Sequence, residues 1–513
     1  MGIIIKLKKE EDNFMSRIGI DFGTTNSYCA FYSNEGDGKL INIMKNNQPE
    51  PSLFFYKSNT GEIYGSRCKD YIDVFPNNFI KSIKVVLDNE EENVVIDGIS
   101  FEKMYIVQKY IEHLINDIVN IKLESIYEDA VDEVVLSFPV GFSEKYKSKI
   151  KKAVENISIK GTDKFIKVIA MIEEPVAAAI HYFYIMKEKN IETNDNVLVY
   201  DLGGGTFDAA IVHKDILGDL TVIDHQGIKN LGGDQWDELL GNHIIKRLEY
   251  ENLSDDGLNE LKKIKQKERD YIKFLHKVEE LKMRLSEADE SIFVLNCGYS
   301  IIIRRTDFEE ETKQLIEKTL TVCETLINDN SDYPISQIIL CGGSTYMPMI
   351  KENLSRVFPT MSINLHYPES AIAFGDILYK ENDSVSTILK TNHSYGTRCF
   401  IGNSEIEKIS NVIYYNEYLP VVKSKNFCTH TATDSVIYTV YEGNIKEGEE
   451  DYSEIRSQKL LKQFRFVFNY IVPKETYMDV IYTLDEIGIL TLSVHSDNHP
   501  DQNFSVKVFE DGI

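Results

Sequence analysis

The stretch Asn196–Val212, NVLVYDLGGGTFDAAIV, decides how the chain is read. Its apolar run Val197-Leu198-Val199-Tyr200 has the character of a buried strand. The strand carries an acid, Asp201, to its end, and Gly203, Gly204, Gly205, Thr206, Asp208 and a second apolar strand follow. Consecutive glycines let backbone N–H groups turn toward one point and form a concave anion site. A phosphate held in that turn would face two carboxylates, which calls for a cation between them. A glycine-rich hairpin turn with a capping Asp accounts for the same residues equally well.

A second copy favours the first reading. Arg17-Ile18-Gly19-Ile20 leads into Asp21, then Phe22-Gly23-Thr24-Thr25, then the strand Tyr28–Tyr32. Both copies read strand, acid, glycine- and threonine-containing turn, strand, about 180 positions apart. A duplicated unit implies two similar lobes facing each other across a cleft, with one ligand gripped by both turns. A third turn, Cys341-Gly342-Gly343-Ser344-Thr345, follows the apolar run Ile338-Ile339-Leu340.

The composition sets the limits. With 513 residues the chain has room for two to four domains with full cores. Its 56 Lys plus Arg against 82 Asp plus Glu give a formal charge of −26, which argues against a general nucleic-acid or anionic-membrane surface. A nucleotide would have to be held by backbone N–H groups, a metal and a few local lysines. No apolar run reaches the roughly 18 residues of a membrane span, and the N-terminus lacks the layout of a signal peptide. Seven scattered cysteines without a CxxC pair read as reduced thiols of a cytoplasmic protein.

Residues 1–15 read as an extension, with Met15 a candidate true start. Further along, Lys81 follows a Pro-Asn-Asn loop, where a solvated charge is the usual outcome. Glu174 stands at a strand-to-helix boundary with Pro175 in the first helical turn. It suits catalysis or simple compensation of the helix dipole equally well. Gly232-Gly233-Asp234 opens a helix, and Asn252–Glu290 is charged and helical, with one apolar face. Lys282 and Ser286 lie one turn apart on another face, either together on a ligand or merely solvated. The texture changes near Lys380. Glu381–Thr391 reads as a linker, and the β-branched and aromatic runs Val436–Tyr441, Phe464–Tyr470, Met478–Leu484, Leu490–Val494 and Phe504–Val508 predict an antiparallel β-sandwich.

Taken together these motifs resemble the seventy-kilodalton heat-shock chaperone (DnaK-like) family, within the actin/hexokinase-like ATPase superfamily. Gly19–Ser27 is similar to its first phosphate loop, and Asp201–Asp208 to its second. Glu174-Pro175, Leu231–Asp234 and Gly342–Thr345 followed by Pro348 fall in family order. The resemblance implies a two-lobed α/β ATPase over residues 16–383, a linker at 384–391 and a β-sandwich peptide-binding domain at 392–513, with no helical lid.

It further implies a site for ATP or ADP with Mg2+, and K+ as a further candidate. Asp21, Asp201 and Glu174 would organise the metal, mostly through water. Lys81 matches the catalytic lysine, and Thr206 and Asp208 would flank the γ-phosphate and the attacking water. Gly23, Thr24, Thr25, Gly204, Gly205, Gly342, Gly343 and Ser344 match phosphate-binding positions. Gly233, Glu279, Lys282, Ser286 and Glu369 match positions around ribose and adenine, and Met283 and Tyr346 fall where the family stacks two arginines on the base. Pro139 matches the proline that couples nucleotide to domain docking, with Lys147 in place of an arginine, and a basic residue that engages J-domain partners falls at Ala170. Val436 and Tyr438 would approach the peptide groove.

The implied partners are unfolded or extended polypeptide, a J-domain co-chaperone and a nucleotide-exchange factor, with no nucleic acid and no membrane. The expected function is a chaperone whose slow ATP hydrolysis regulates grip on extended apolar segments. The alternative is an ATP-regulated scaffold or actin-like assembly protein whose sandwich binds one dedicated partner, and a small-molecule kinase of the same superfamily is a third reading.

Overall fold

The computed structural model describes residues 16–33, 39–42, 48–72, 74–86, 91–119, 131–140, 142, 144–159, 162–266, 269–381, 390–391, 393–401, 406–485, 488–496 and 504–508. The expected N-terminal extension, and the linker up to residue 389, lie outside them.

The first lobe is built on strands β1 (Ser16–Asp21), β2 (Asn26–Ser33), β3 (Lys39–Asn42), β4 (Val131–Phe138) and β5 (Lys167–Glu173). They pair in the order β5-β4-β1-β2-β3, with β1–β2–β3 antiparallel and β1, β4 and β5 parallel. The second lobe repeats the plan with β6 (Asn196–Leu202), β7 (Thr206–Lys214), β8 (Leu220–Lys229), β9 (Gln337–Cys341) and β10 (Ser362–Asn364). Their order is β10-β9-β6-β7-β8, with the same pattern of antiparallel and parallel pairs. The repeated strand–acid–turn therefore belongs to a repeated five-strand topology. Each copy places its acid at the C-terminal end of the central strand, where ligands of open α/β sheets collect.

Four helices shape the cleft: α1 (Glu174–Glu188), α2 (Gly233–Glu249), α3 (Arg269–Glu287) and α4 (Ala371–Glu381). The charged stretch expected to be helical is two helices, Asp255–Lys265 and then α3. Helices α1 and α4 cross between the sheets, α4 against β1 and β2 and α1 against β6 and β7. The crossing is tight, since a Cβ on Gly375 would lie 1.8 Å from the Ala177 carbonyl oxygen. Val176–Ile180, Ala371, Ile372 and Leu378 form one buried cluster there, distinct from the cores of the two lobes.

The C-terminal region is the expected antiparallel sandwich. Its strands are β11 (Ser394–Phe400), β12 (Glu407–Ile413), β13 (Val421–Cys428), β14 (Thr433–Gly443), β15 (Tyr452–Ser453), β16 (Lys459–Val472), β17 (Tyr477–Leu484), β18 (Leu490–His495) and β19 (Phe504–Lys507). One sheet runs β15-β12-β11-β14-β16, the other β13-β17-β18-β19. Alternation along β17 buries Met478, Val480, Tyr482 and Leu484 between them. Val436 is half-buried, but Tyr438 belongs to the core. It is 4% exposed, with its hydroxyl 3.0 Å from the Met478 sulfur, because the pleat turns it inward and leaves Ile437 outside. The expectation that Tyr438 faces a groove is corrected accordingly.

Leu419 packs against both the sandwich core and the first lobe's core. A cleft lined by Asp224 and Asn330 on one side and by Tyr415, Glu417 and Lys446 on the other separates the sandwich from the second lobe. No helix among the described residues is long and apolar enough to cross a membrane.

Candidate functional site

The two phosphate-loop hairpins meet across the cleft. In the second, Asp201 pairs with Asp208 and Leu202 with Phe207, so the antiparallel register puts both acids beside the glycine turn. The Gly203 N–H donates to the Thr206 carbonyl oxygen at 3.1 Å and closes the turn. In the first hairpin Asp21 pairs with Tyr28. A Cβ on Gly204 would lie 2.2 Å from the Thr25 hydroxyl oxygen, and one on Gly205 3.4 Å from the Thr24 methyl group. Among the described residues the buried Thr25 hydroxyl has no hydrogen-bond partner, the state expected of a group that serves a ligand.

The other two glycine segments close on the same point. Gly233 N–H donates to Gly203 O at 3.1 Å, Asp234 N–H to Gly204 O at 2.8 Å, and Ser344 Oγ to Gly203 O at 2.9 Å. Gly342 holds φ at +81°, and a Cβ there would lie 2.3 Å from Leu202 O. Only a glycine turns the chain there at so small a distance.

Acids gather on the cleft floor. Asp21 is 8% exposed, and burial, then Glu174, push its carboxyl up to about 7. Burial first, then Glu174, Asp208 and Asp21, raise Asp201 well above the carboxylate range. Asp208 rises to about 6 through burial and Glu174, opposed by a hydrogen bond from Thr206. Such a cluster favours cations: a positive charge at its centre would return these groups to the ionised form. No three acids, histidines or cysteines among the described residues are arranged to ligate one metal directly.

The lysine on the cleft lining is Lys84, while Lys81, the lysine singled out from the sequence, is exposed. Lys84, in the short helix Ile83–Val86, is buried and lies with Nζ 2.5 Å from Glu174 Oε1 on the cleft lining. Lys81 is exposed, and its charge is felt by Asp234. Ser82, held at φ +62°, lies between them. The sequence signal was present, two lysines three apart in Ile80-Lys81-Ser82-Ile83-Lys84, but their spacing does not say which one enters the cleft.

The positions assigned to the base and ribose line up along α3 and the third turn. Lys282 Nζ donates to Gly233 O at 3.0 Å and pairs with Asp237 at 2.8 Å, which ties α3 to the start of α2. Glu279 lies within 3.7 Å of His276. Ser286 Oγ donates to the Met283 carbonyl oxygen at 2.6 Å, inside its own helix. Met283 and Tyr346 are 60% and 43% exposed, both accessible to a ligand face. Glu369 lies on the cleft lining and accepts a 2.7 Å hydrogen bond from the Tyr28 hydroxyl, a residue the sequence reading did not select. Nor did it select Asp376, buried behind Asp21 and accepting from Ser137 Oγ at 3.0 Å, or Glu173. Pro139 borders the cleft next to Glu174. Lys147 is buried with its ammonium 4.0 Å from the centre of the Phe138 ring, and Ala170 is buried in β5.

Two lobes of like topology clasping an acid-lined cleft, followed by a two-sheet antiparallel sandwich, define an actin-like ATPase region joined to a β domain. Residues 17–510 match the family described as Hsp70 protein, and the chain belongs to that family of ATP-binding chaperones. It is 28% identical over 451 residues to the chaperone protein HscA of Buchnera aphidicola subsp. Baizongia pistaciae, covering 83% of this chain and 82% of that one. It is 28% identical over 532 residues to HscA of Buchnera aphidicola subsp. Schizaphis graminum, covering 96% and 76%. To the HscA homolog of Acinetobacter baumannii it is 26% identical over 504 residues, covering 93% and 75%.

Proposed function

We propose that this protein is a chaperone that binds Mg·ATP between the two lobes and hydrolyses it slowly. The nucleotide state then sets how tightly the sandwich grips an extended apolar polypeptide segment. The observation that carries the reading is the convergence of three glycine turns, the buried Lys84–Glu174 pair and Asp21, Asp201 and Asp208 on one cleft.

Phosphoryl transfer needs positioning and charge neutralisation more than covalent catalysis. The backbone N–H groups of Gly23–Thr25, Gly204, Gly205, Gly343 and Ser344 are the candidates for cradling phosphate oxygens, since those of Gly203 and Gly342 are already spent on carbonyls. Magnesium would supply charge neutralisation while keeping several of its waters, organised by Asp21, Asp201 and Glu174. Lys84 would neutralise charge developing on the transferred group, in the role first assigned to Lys81. Thr206 and Asp208 stand where a hydroxyl and a carboxylate can orient an attacking water. Met283 and Tyr346 offer apolar and aromatic contact to a base face, without the cation of an arginine.

The ATPase region is taken as 16–383, the linker as 384–391 and the sandwich as 392–513. Glu173, Lys147 and Lys390 lie close enough to interact, and they bring the ATPase region to the first described residue of the linker. That grouping, with Leu419 shared between two cores, supports docking of the sandwich as the regulated step. The clients are extended apolar polypeptides, gripped by main-chain hydrogen bonds and an apolar pocket. A J-domain co-chaperone and an exchange factor are the expected partners.

Single-turnover ATP hydrolysis with and without an apolar peptide tests the proposal. Hydrolysis that peptide accelerates supports it. Hydrolysis indifferent to every peptide would instead favour a scaffold with one dedicated partner.

A further inference from the structure

The hydrogen bond between Tyr28 and Glu369 joins residues 341 positions apart across the cleft. Tyr28 is in β2, and its ring belongs to the first lobe's core at 5% exposure. It is the register partner of Asp21, so its side chain stands beside that acid at the mouth of the first phosphate turn. Glu369 sits in the short segment between β10 and α4. That segment bridges the lobes: the Gly342 N–H of the second lobe donates to the Pro368 carbonyl oxygen at 2.9 Å, and the chain then runs into α4, which packs on β1 and β2. Glu369 also approaches the third turn directly: a Cβ on Gly343 would be 3.5 Å from Glu369 Oε1.

The bond is therefore the middle of a continuous connection. It runs from the first phosphate hairpin through the Tyr28 hydroxyl, the Glu369 carboxylate and the Pro368 carbonyl to the glycine turn of the second lobe. Both Tyr28 and Glu369 lie on the cleft lining, together with Thr24, Gly204 and Gly343. Opening the lobes far enough to pass a nucleotide must lengthen this connection. The phenol is a dependable donor, since burial and the neighbouring carboxylate oppose its ionisation.

We propose that Tyr28 is a positioning residue, whose hydroxyl latches the first lobe to Glu369 and holds the cleft closed over its ligand. The latch sets the rate at which nucleotide leaves rather than the rate of the chemical step. It rests on the proposed nucleotide site for its consequence, though not for its geometry.

The ring of Tyr28 supplies packing and only the hydroxyl supplies the latch, so Tyr28→Phe separates the two. Two readouts on the full chain test the proposal. The first is hydrogen–deuterium exchange of the ligand-free protein across residues 22–28 and 342–346. The latch predicts faster exchange in both segments of Tyr28→Phe, with the sandwich unchanged. The second is dissociation of a fluorescent ATP analogue. Loss of one hydrogen bond to a charged group predicts release about tenfold faster, with a much smaller change in the single-turnover hydrolysis rate. Glu369→Ala should accelerate release to the same degree, and the double variant no further, as residues sharing one interaction do.

Unchanged exchange in both segments overturns the latch, whether or not nucleotide binds. Release within twofold of the wild type, or additive effects of the two substitutions, overturns it as well. Faster exchange in a protein that holds no nucleotide supports the latch and sinks the nucleotide reading alone.

Discussion

Lys84 and Glu174 form a buried ion pair, Nζ to Oε1 at 2.5 Å, that joins the short helix Ile83–Val86 to the first turn of α1. Burial opposes the lysine's charge, but Glu174, Asp21 and Asp201 outweigh it, so Lys84 holds its proton more tightly than a free lysine. An ammonium held among acids is suited to neutralising phosphate charge. Lys84→Ala should therefore slow single-turnover hydrolysis by at least a hundredfold, the size of effect seen when one preorganised charge-stabilising donor is removed. Lys81→Ala, at an exposed position, should stay within about threefold. A loss confined to Lys81→Ala would return the role to Lys81, and equal losses would contradict its assignment to Lys84 alone.

The glycine turns make separate predictions according to what a methyl group would meet. At Gly342 both φ and the 2.3 Å approach to Leu202 O oppose any side chain, so Gly342→Ala should lose about 2 kcal/mol or more of stability and nucleotide binding with it. At Gly343 the nearest atom is 3.5 Å away, so Gly343→Ala should melt close to the wild type. Gly204→Ala would push against the Thr25 side chain of the opposing lobe. It should weaken nucleotide binding more than it lowers the melting temperature. Thermal melts with and without Mg·ATP read all three.

Much of this site was legible because its signals are local. A strand, an acid and a glycine turn within eight residues identified Asp21 and Asp201, and their repetition announced two lobes that the strand orders then displayed. Signals that depend on tertiary placement were not legible. Which of Lys81 and Lys84 enters the cleft is set by how residues 79–86 pack in the folded lobe, which puts Lys84 on the lining and leaves Lys81 exposed. Tyr28 and Glu369 meet only after both lobes have folded. In the sandwich, the mixed polar character of β11–β13 left those strands without a clear pattern, and the inward face of β14 placed Tyr438 in the core rather than at a groove.

Glu173 gives a pH prediction of definite sign. Burial raises its carboxyl from 4.5 to about 7, despite Lys147 and Lys390 nearby. The folded state thus binds the proton more tightly than the unfolded chain. Its contribution to stability is complete below about pH 4.5 and is lost as pH rises through 7. Asp21 and Asp208 slope the same way, so the diagnostic quantity is a difference between proteins. Calorimetric melts from pH 5 to 8 should show Glu173→Gln losing less stability than the wild type over that range. A parallel decline in both proteins would contradict the assignment.

In the sandwich, Val436 is half-buried opposite Phe466 on β16, whose ring stacks on Phe504 at 5.0 Å between centroids. If client segments dock at this partly buried edge of the core, Val436→Ala, which removes two methyl groups, should weaken binding of an apolar peptide about tenfold, with a thermal melt of the same variant checking that the sandwich stays folded. Fluorescence anisotropy with a labelled peptide measures it, and unchanged affinity would move the docking surface elsewhere.

The central claim, that nucleotide in the cleft controls the sandwich's grip, is tested most directly by the release rate of a labelled apolar peptide from the full chain, with and without Mg·ATP. The account predicts release at least tenfold faster with Mg·ATP, and loss of that acceleration in Lys84→Ala if hydrolysis drives the change or in Gly342→Ala if binding alone does. Equal release rates with and without bound Mg·ATP would contradict it.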